Sequence, residues 1–287
     1  MKLRQFHLLF IFGILLFSTW SCSFKRISRF KNIRYVQKND SLNSSQQELN
    51  IFTPKKKAAL KNVLIFIHGG NWNAGSKNLY HFLGSRLARK GVVAVIIGYP
   101  LSPQANYEQM ATAAVKAVVW VKTHIDEYGG NPDKLFVSGH SAGGHLAALI
   151  SLNNTYFDTL RIENPIRGCI LIDAAGLDMY GYLTEENLTE PHTYLQTFSA
   201  NPAIWKQASP IYHLYSNMPP LLIYRGEKTY PSIIKSTEKF VEALKAYRTE
   251  PNYYILKGKK HIPMITQFFW TWNPRYEEIL EFMQEQD

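Results

Sequence analysis

The chain has 287 residues, a formal net charge of +10 and a hydrophobic fraction of 46%. That length lies within the range that α/β enzymes fold as a single unit. The only two cysteines are Cys22 and Cys169, which excludes a disulfide framework, and no Cys/His cluster has the spacing of a zinc site. The basic residues are not interleaved with stacking aromatics on a recognisable binding module, so we expect no nucleic-acid partner.

The first 22 residues have the layout of an export signal. A basic start at Lys2 and Arg4 is followed by an apolar stretch over residues 8–17 and a polar end that closes on Cys22. The apolar stretch is too short to span a bilayer comfortably, yet long enough for the core of a secretory signal. Its end resembles the bacterial lipobox, although Trp20 is an unusual occupant of the position two before the cysteine. We expect export to the cell envelope with Cys22 as the lipidated first residue; secretion without lipid and an uncleaved signal anchor are the alternatives.

Residues 23–47 are predicted to be a basic and polar tether. Its cations would attract anionic lipid headgroups or would simply keep a tether solvated; they include Lys25, Arg26, Arg29, Lys31, Arg34 and Lys38. The polar, Ser-rich residues 39–47 indicate a linker or a hairpin turn. The folded domain is expected over residues 48–287.

From that point strand-like and helix-like patterns alternate. Apolar runs fall at residues 63–67, 92–97 and 134–138, and helical patterns at residues 81–89 and 107–125. This alternation predicts parallel βαβ units and therefore an α/β fold. Functional sites in such sheets lie at the carboxyl ends of the strands.

A glycine-rich loop closes the first of these apolar runs. His68 is followed by Gly69, Gly70, Asn71 and Trp72. Glycines let the backbone turn here and point the N–H groups of Gly70 or Asn71 at a reacting carbonyl, as one half of an oxyanion hole. For His68 we expect a structural role, in which the ring braces the loop through hydrogen bonds.

The second motif is a serine between closely spaced glycines. Ser141 stands between Gly139 and Gly143, after an apolar run and before a helical pattern. A serine on such a sharp strand-to-helix turn is typical of a catalytic nucleophile, because the turn exposes its hydroxyl above the sheet. It also leaves the N–H of Ala142 at a helix N-terminus, where it can donate to an oxyanion.

Together these stretches resemble a known family. The residues carrying the resemblance read VLIFIHGGNWNAGSK, VVAVIIGYPLSP and MATAAVKAVVWVKTHIDEYGGNPDKLFVSGHSAGGHLAALI. They are similar to the feruloyl-esterase-like and kynurenine-formamidase-like branch of the α/β-hydrolases. The resemblance implies a mostly parallel sheet with helices on both faces and a small insert or cap. It also implies a Ser–His–acid hydrolase without cofactor, with Ser141 as nucleophile and Gly70, Asn71 and Ala142 as oxyanion donors.

In hydrolases of this fold the base comes last in the chain, after the serine and the acid. His261 follows the strand-like residues 252–256 and a Lys/Gly loop, which is the family's histidine position. We therefore expect His261 to be the base. The other histidines, including His140 and His145 beside the serine, are expected to be ordinary core or surface residues.

The acid is harder to place. The family carries Asp or Glu three residues after Gly226, and this chain has Thr229 there. Glu227 lies on the same loop and is the preferred acid. The alternatives are Asp173 or Asp178, which follow an earlier strand, and a Ser–His pair with no acid, in which case Thr229→Asp should raise activity.

An insert over residues 176–217 interrupts the alternation of strands and helices. Its aromatic residues would cover the serine as a cap or anchor the insert to the body of the protein; they are Tyr180, Tyr182, Tyr194, Phe198, Trp205 and Tyr212. The sequence thus predicts a serine hydrolase of the cell envelope that cleaves small-molecule or glycan-linked carboxylic esters through an acyl-enzyme. An amidase or formamidase, and a non-catalytic binding protein suggested by Thr229, are the alternatives. The oligomeric state and the substrate are not readable from the sequence.

Overall fold

The computed structural model describes residues 26–37, 46–55, 59–247 and 251–286. The predicted signal, Cys22, Lys25 and most of the Ser-rich segment therefore lie outside the described residues. Within the described part, no helix is both long enough and apolar enough to span a bilayer.

Eight strands of the described chain form one sheet in the order β1-β2-β4-β3-β5-β6-β7-β8. The bounds are β1 Ile27–Arg34, β2 Glu48–Pro54, β3 Lys61–Ile67, β4 Val93–Ile97, β5 Gly130–His140, β6 Ile166–Ile172, β7 Leu221–Gly226 and β8 Asn252–Leu256. The first two strands pair antiparallel, β2 also runs antiparallel to β4, and every later pairing is parallel. This is the mostly parallel sheet that the alternating pattern predicts.

Helices cover both faces of the sheet. Their bounds are α1 His81–Arg89, α2 Tyr107–His124, α3 Ala142–Leu152, α4 Thr155–Asp158, α5 Met179–Glu186, α6 Thr193–Phe198, α7 Pro202–Gln207, α8 Pro231–Leu244, α9 His261–Thr266 and α10 Arg275–Glu285. Alternate residues of each strand point to opposite faces, so β3 supplies Val63 and Ile65 to one core and Leu64 and Phe66 to the other. The first core packs against α2, α3 and α8, and the second against α1 and α10.

The edge of the sheet differs from the sequence prediction. Residues 27–34, expected in a tether, form β1 and pair with β2. The sequence does not reveal this strand because β1 lies at the edge of the sheet. Its residues are mostly exposed or half-buried, and many of them are basic. Such a strand lacks the apolar run by which buried strands are recognised.

The insert folds into the short helices α5, α6 and α7 between β6 and β7. It lies against the glycine-rich loop, since Trp72 makes edge-on ring contacts with Tyr194 and Phe198 at centroid distances of 5.8 and 5.0 Å. The Tyr194 hydroxyl donates to Asn71 Oδ1 at 2.9 Å. Part of the insert is therefore fixed to the loop that carries the expected oxyanion donors.

Candidate active site

Ser141 lies in a strained turn between β5 and α3. Its backbone angles, φ 56° and ψ −124°, are rare for a residue with a side chain. The neighbouring glycines allow this turn, because a Cβ on Gly139 would lie 2.1 Å from the Gly143 carbonyl oxygen. A Cβ on Gly143 would lie 2.1 Å from the Ile67 carbonyl oxygen. The spacing of the motif is thus a packing requirement of the turn.

Three side chains form a hydrogen-bonded row above the carboxyl ends of the strands. Ser141 Oγ lies 2.9 Å from His261 Nε2, and His261 Nδ1 lies 2.6 Å from Asp173 Oδ2. The ring can accept the serine proton at Nε2 while Nδ1–H donates to the carboxylate. This is the arrangement of a nucleophile, a base and an acid that orients the base.

Asp173 directly follows β6 and is fully buried. Besides the His261 ring, its carboxylate accepts from the Gly226 N–H at 2.8 Å and from the Thr229 hydroxyl. A buried carboxylate is tolerated when its lone pairs are satisfied in this way. Thr229 occupies the family's usual acid position. Its hydroxyl therefore stabilises the acid Asp173, which follows the neighbouring strand β6.

The preferred acid of the sequence analysis, Glu227, is not at the histidine. Its carboxylate accepts from the Gly258 N–H at 2.6 Å, while its own N–H donates to the Leu256 carbonyl oxygen. These contacts hold Glu227, which directly follows β7, against the exposed turn after β8, and its carboxylate binds there and not at the ring. The structure thus replaces Glu227 with Asp173 as the candidate acid.

Asp178, the other carboxylate considered, caps α5. It accepts from the Gly181 N–H at 2.9 Å and from Lys239 Nζ at 3.1 Å. A short polar side chain at this position satisfies a free N–H of the first helical turn. Asp178 therefore has a structural partner and lies away from the His261 ring.

The expected oxyanion donors lie around the serine. Ala142 is the first residue of α3, so its N–H has no intrahelical acceptor. Gly70 and Asn71 both have positive φ, 134° and 52°, and a Cβ on Gly70 would collide with the Ala74 carbonyl at 2.1 Å. In the described part of the chain their N–H groups have no protein acceptor. These donors remain available to a developing negative charge.

His68 braces the glycine-rich loop. Its ring is buried, stacks on Tyr99 with centroids 4.4 Å apart, and places Nδ1 2.9 Å from the Gly69 carbonyl oxygen. Burial lowers the pKa of His68 to about 4, so the ring is neutral at ordinary pH. These contacts agree with the structural role expected for this residue.

Two other histidines have more specific positions than the sequence suggested. His140 stacks on the His261 ring at 4.6 Å, and burial lowers its pKa to about 3. His145, one helical turn after the serine, accepts from Trp72 Nε1 at 3.2 Å and contacts the Ala208 carbonyl oxygen through Nε2 at 2.7 Å. His145 thereby links the nucleophile helix, the glycine-rich loop and the insert. The sequence does indicate that His145 lies near the nucleophile, because it comes four residues after Ser141 and therefore lies on the same helix face.

The remaining cysteine has no place in this site. Cys169 is buried in β6, and burial raises the pKa of its thiol to about 12. Within the described residues, no group of three His, Cys, Asp or Glu side chains is arranged to hold a metal ion.

Comparison with known proteins identifies the family. The BD-FAE family profile matches residues 49–244, which include Ser141 and Asp173. The chain belongs to the BD-FAE family. The α/β-hydrolase resemblance is thereby confirmed.

Curated relatives of this chain include esterases and a formamidase. Esterase LipC of Mycobacterium tuberculosis is 30% identical over 214 residues, which cover 69% of this chain and 52% of LipC. Kynurenine formamidase of Salmo salar is 32% identical over 126 residues, or 44% of this chain and 41% of that enzyme. The chain spans about half the length of the curated relatives it matches.

Solved structures confirm the predicted fold. A truncated carbohydrate esterase from gut microbiota superposes with a TM-score of 0.75 at 19% identity, covering 92% of this chain and 98% of its own. Esterase B from Lactobacillus rhamnosis gives a TM-score of 0.71 at 21% identity, covering 91% and 85% of the two chains.

Proposed function

We propose that this protein is a serine esterase that hydrolyses carboxylic esters. The observation that carries the proposal is the hydrogen-bonded row of Ser141, His261 and Asp173 beside unpaired N–H groups at the carboxyl edge of the sheet. Family membership and the esterases among its relatives support the same activity.

The geometry supports a two-step reaction. Ser141 Oγ attacks the ester carbonyl while His261 Nε2 takes the serine proton, and the carbonyl oxygen becomes an oxyanion held by the N–H groups of Ala142 and the Gly70–Asn71 loop. His261 then gives the proton to the leaving alcohol, and an acyl-enzyme remains on Ser141. Water, deprotonated by the same ring, attacks the acyl group, releases the acid and restores the serine. Asp173 stabilises the imidazolium in both steps.

This geometry removes the basis for the binding-protein alternative. It was suggested by Thr229 at the usual acid position, and Asp173 now supplies a carboxylate to the base. The amidase alternative uses the same machinery, and a formamidase is among the relatives. Esters take precedence because esterases supply the broader matches along the chain.

We propose a short acyl group for the substrate, because the recess between the glycine-rich loop and the insert is small. It has a volume of about 30 Å³ and is lined by side chains that include Trp72, Met179, Tyr182 and Tyr194. A space of that size holds roughly two water molecules. A recess of this volume favours an acetyl group over a feruloyl or hexanoyl group.

An assay of p-nitrophenyl acetate, p-nitrophenyl hexanoate and a p-nitroacetanilide tests this proposal. We expect the acetate to be hydrolysed with the highest kcat/KM, the hexanoate more slowly, and the anilide slowest of the three. Folded protein that turns over none of them would contradict the enzyme assignment. A preference for the anilide would favour the amidase.

A further prediction concerns Thr229. Thr229→Asp would place a second carboxylate against Asp173, remove the hydroxyl donor and add negative charge beside the base. That charge favours the imidazolium over the neutral base, so the acidic limb of the pH–rate profile should move to higher pH. We expect lower kcat at neutral pH, the reverse of the gain expected for a site without an acid. Thr229→Ser keeps the donor and should resemble wild type; a gain in kcat from Thr229→Asp would argue against Asp173 as the acid.

We also propose attachment to the cell envelope through a lipid on Cys22. The support is the sequence alone, a basic start and an apolar stretch that ends at this cysteine. Cys22→Ser should release the protein from the membrane fraction of the producing cell. Intact-mass analysis that finds the mature N-terminus at any residue other than an acylated Cys22 would contradict the proposal.

A further inference from the structure

A basic pocket lies at the edge of the sheet outside the candidate active site. It has a volume of about 430 Å³ and is formed between β1, which supplies Arg29 and Lys31, and α1, which supplies Arg86 and Arg89. Among the described residues, no Asp or Glu lines this pocket. Four cationic groups therefore converge on one concave surface.

These cations are not neutralised by the described parts of the chain. Arg29, Lys31 and Arg86 have no carboxylate partner there, and the Arg89 guanidinium makes only a 3.5 Å contact with the Ser85 carbonyl oxygen. Like charges held together without counter-charges repel each other, so a bound anion would relieve the repulsion. The neighbouring His81 responds to this field. Burial lowers its pKa, and the charges of Lys31 and Arg29 lower it further.

An exposed aromatic surface continues from the pocket. Phe82, on the pocket wall, stacks on Phe269 with centroids 3.9 Å apart. Phe269 is followed by Trp270 and Trp272, whose rings stack at 5.2 Å although they are 57% and 76% exposed. Two exposed, stacked indoles beside a cationic pocket have no partner in the described fold.

This combined surface lies next to the candidate active site and to the start of the fold. Phe82 on the pocket wall stacks on Tyr80 with centroids 6.2 Å apart, and the Tyr80 hydroxyl accepts from the Gly69 N–H of the glycine-rich loop at 3.4 Å. At the other end, β1 begins at Ile27, only five residues after Cys22. Five residues reach at most about 17 Å, so a membrane anchor at Cys22 would hold the pocket close to the bilayer.

We propose that the basic pocket and the indole pair form a docking surface for anionic phospholipid membranes. The cations bind headgroup phosphates, and Trp270 and Trp272 enter the interfacial layer, where indole rings are favoured. A glycan could stack on the indoles, but it would leave four unpaired cations unexplained. The inference does not depend on the esterase assignment.

Tryptophan quenching by phospholipids brominated on their acyl chains tests this proposal. The full chain is compared with the pair variant Trp270→Phe/Trp272→Phe, so that the difference isolates the two indoles from Trp20 and the other tryptophans. On phosphatidylglycerol vesicles we expect quenching that the pair variant lacks. On phosphatidylcholine vesicles this difference should largely vanish.

The pocket is tested by the charge reversal Arg86→Glu/Arg89→Glu. Removing one cation weakens docking about fivefold, so losing two should lower the docking constant about 25-fold, and the added negative charges lower it further. The matched control Arg161→Glu/Lys245→Glu changes the net charge equally at positions that follow α4 and α8. Because α8 and α1 pack on opposite faces of the sheet, Lys245 lies across the sheet from the pocket. Circular dichroism checks the folding of both variants, and Arg86→Gln/Arg89→Gln replaces the reversal if it does not fold.

Three results with vesicles would overturn the docking-surface proposal. They are equal pair-specific quenching on the two vesicle types, no effect of the Arg86 and Arg89 variants, and an equal effect of the control. A fluorescence change of the pair with xylohexaose but not with vesicles would also overturn it, in favour of a glycan platform. Loss of esterase activity in wild type would refute the proposed function and leave these measurements unaffected.

Discussion

Asp173→Asn should lower kcat for ester hydrolysis by about 10⁴-fold with a small change in KM. The carboxylate is buried against His261 Nδ1 at 2.6 Å and receives two further hydrogen bonds, so the substitution keeps the shape and removes the charge. A neutral amide no longer stabilises the imidazolium and can hold the ring in the wrong tautomer. Steady-state kinetics with p-nitrophenyl acetate measures the loss.

Glu227→Gln is the matched control for this carboxylate. Its side chain bonds to the Gly258 N–H on an exposed turn, and an amide oxygen can replace that acceptor. We expect kcat close to wild type. A severe loss in Glu227→Gln together with an active Asp173→Asn would return the acid to Glu227.

Ser141→Ala should have the largest effect of any single substitution, a loss of about 10⁶-fold in kcat. The change removes the nucleophile and leaves the base, the acid and the oxyanion donors in place. Residual hydrolysis would then come from bound water and transition-state binding alone. Traces of other hydrolases set the lowest rate that such measurements can detect. The variant is therefore assayed by single-turnover kinetics at high enzyme concentration.

Ser138→Ala is the control for this substitution. Ser138 lies on β5, three residues before Ser141, and its buried hydroxyl has no hydrogen-bond partner within the described residues. Its removal costs no hydrogen bond, so activity should be retained. Comparable activities of Ser141→Ala and wild type would show that another group performs the attack.

Ser141 and the fold could be predicted because their signals are local. The turn around Ser141 needs Gly139 and Gly143 for steric reasons, and buried parallel strands such as β3 are continuous apolar runs. The structure places His261 at the start of α9, after the loop that follows the last strand, where the order of the fold led us to expect the base. Each of these features depends on residues close together in the sequence.

The acid could not be chosen by the same means. Asp173, Asp178 and Glu227 all follow strands that end at the same edge of the sheet, and the sequence does not give the direction of each side chain. The choice was decided by contacts between distant segments, namely the Gly226 N–H and the Thr229 hydroxyl on Asp173. Edge strand β1 could not be predicted for a related reason. Its sequence lacks the apolar pattern that buried strands show, and only its pairing with β2 identifies it as a strand.

Labelling with an alkyl fluorophosphonate tests the central claim most directly. The reagent phosphonylates a serine hydroxyl only when a base and an oxyanion site activate it, and intact mass with peptide mapping identifies the modified residue. We predict one adduct per wild-type chain on Ser141, none on Ser141→Ala, normal labelling of Glu227→Gln and much slower labelling of Asp173→Asn. An unmodified wild-type chain that is folded, or an adduct on any other residue, would contradict a Ser141–His261–Asp173 esterase.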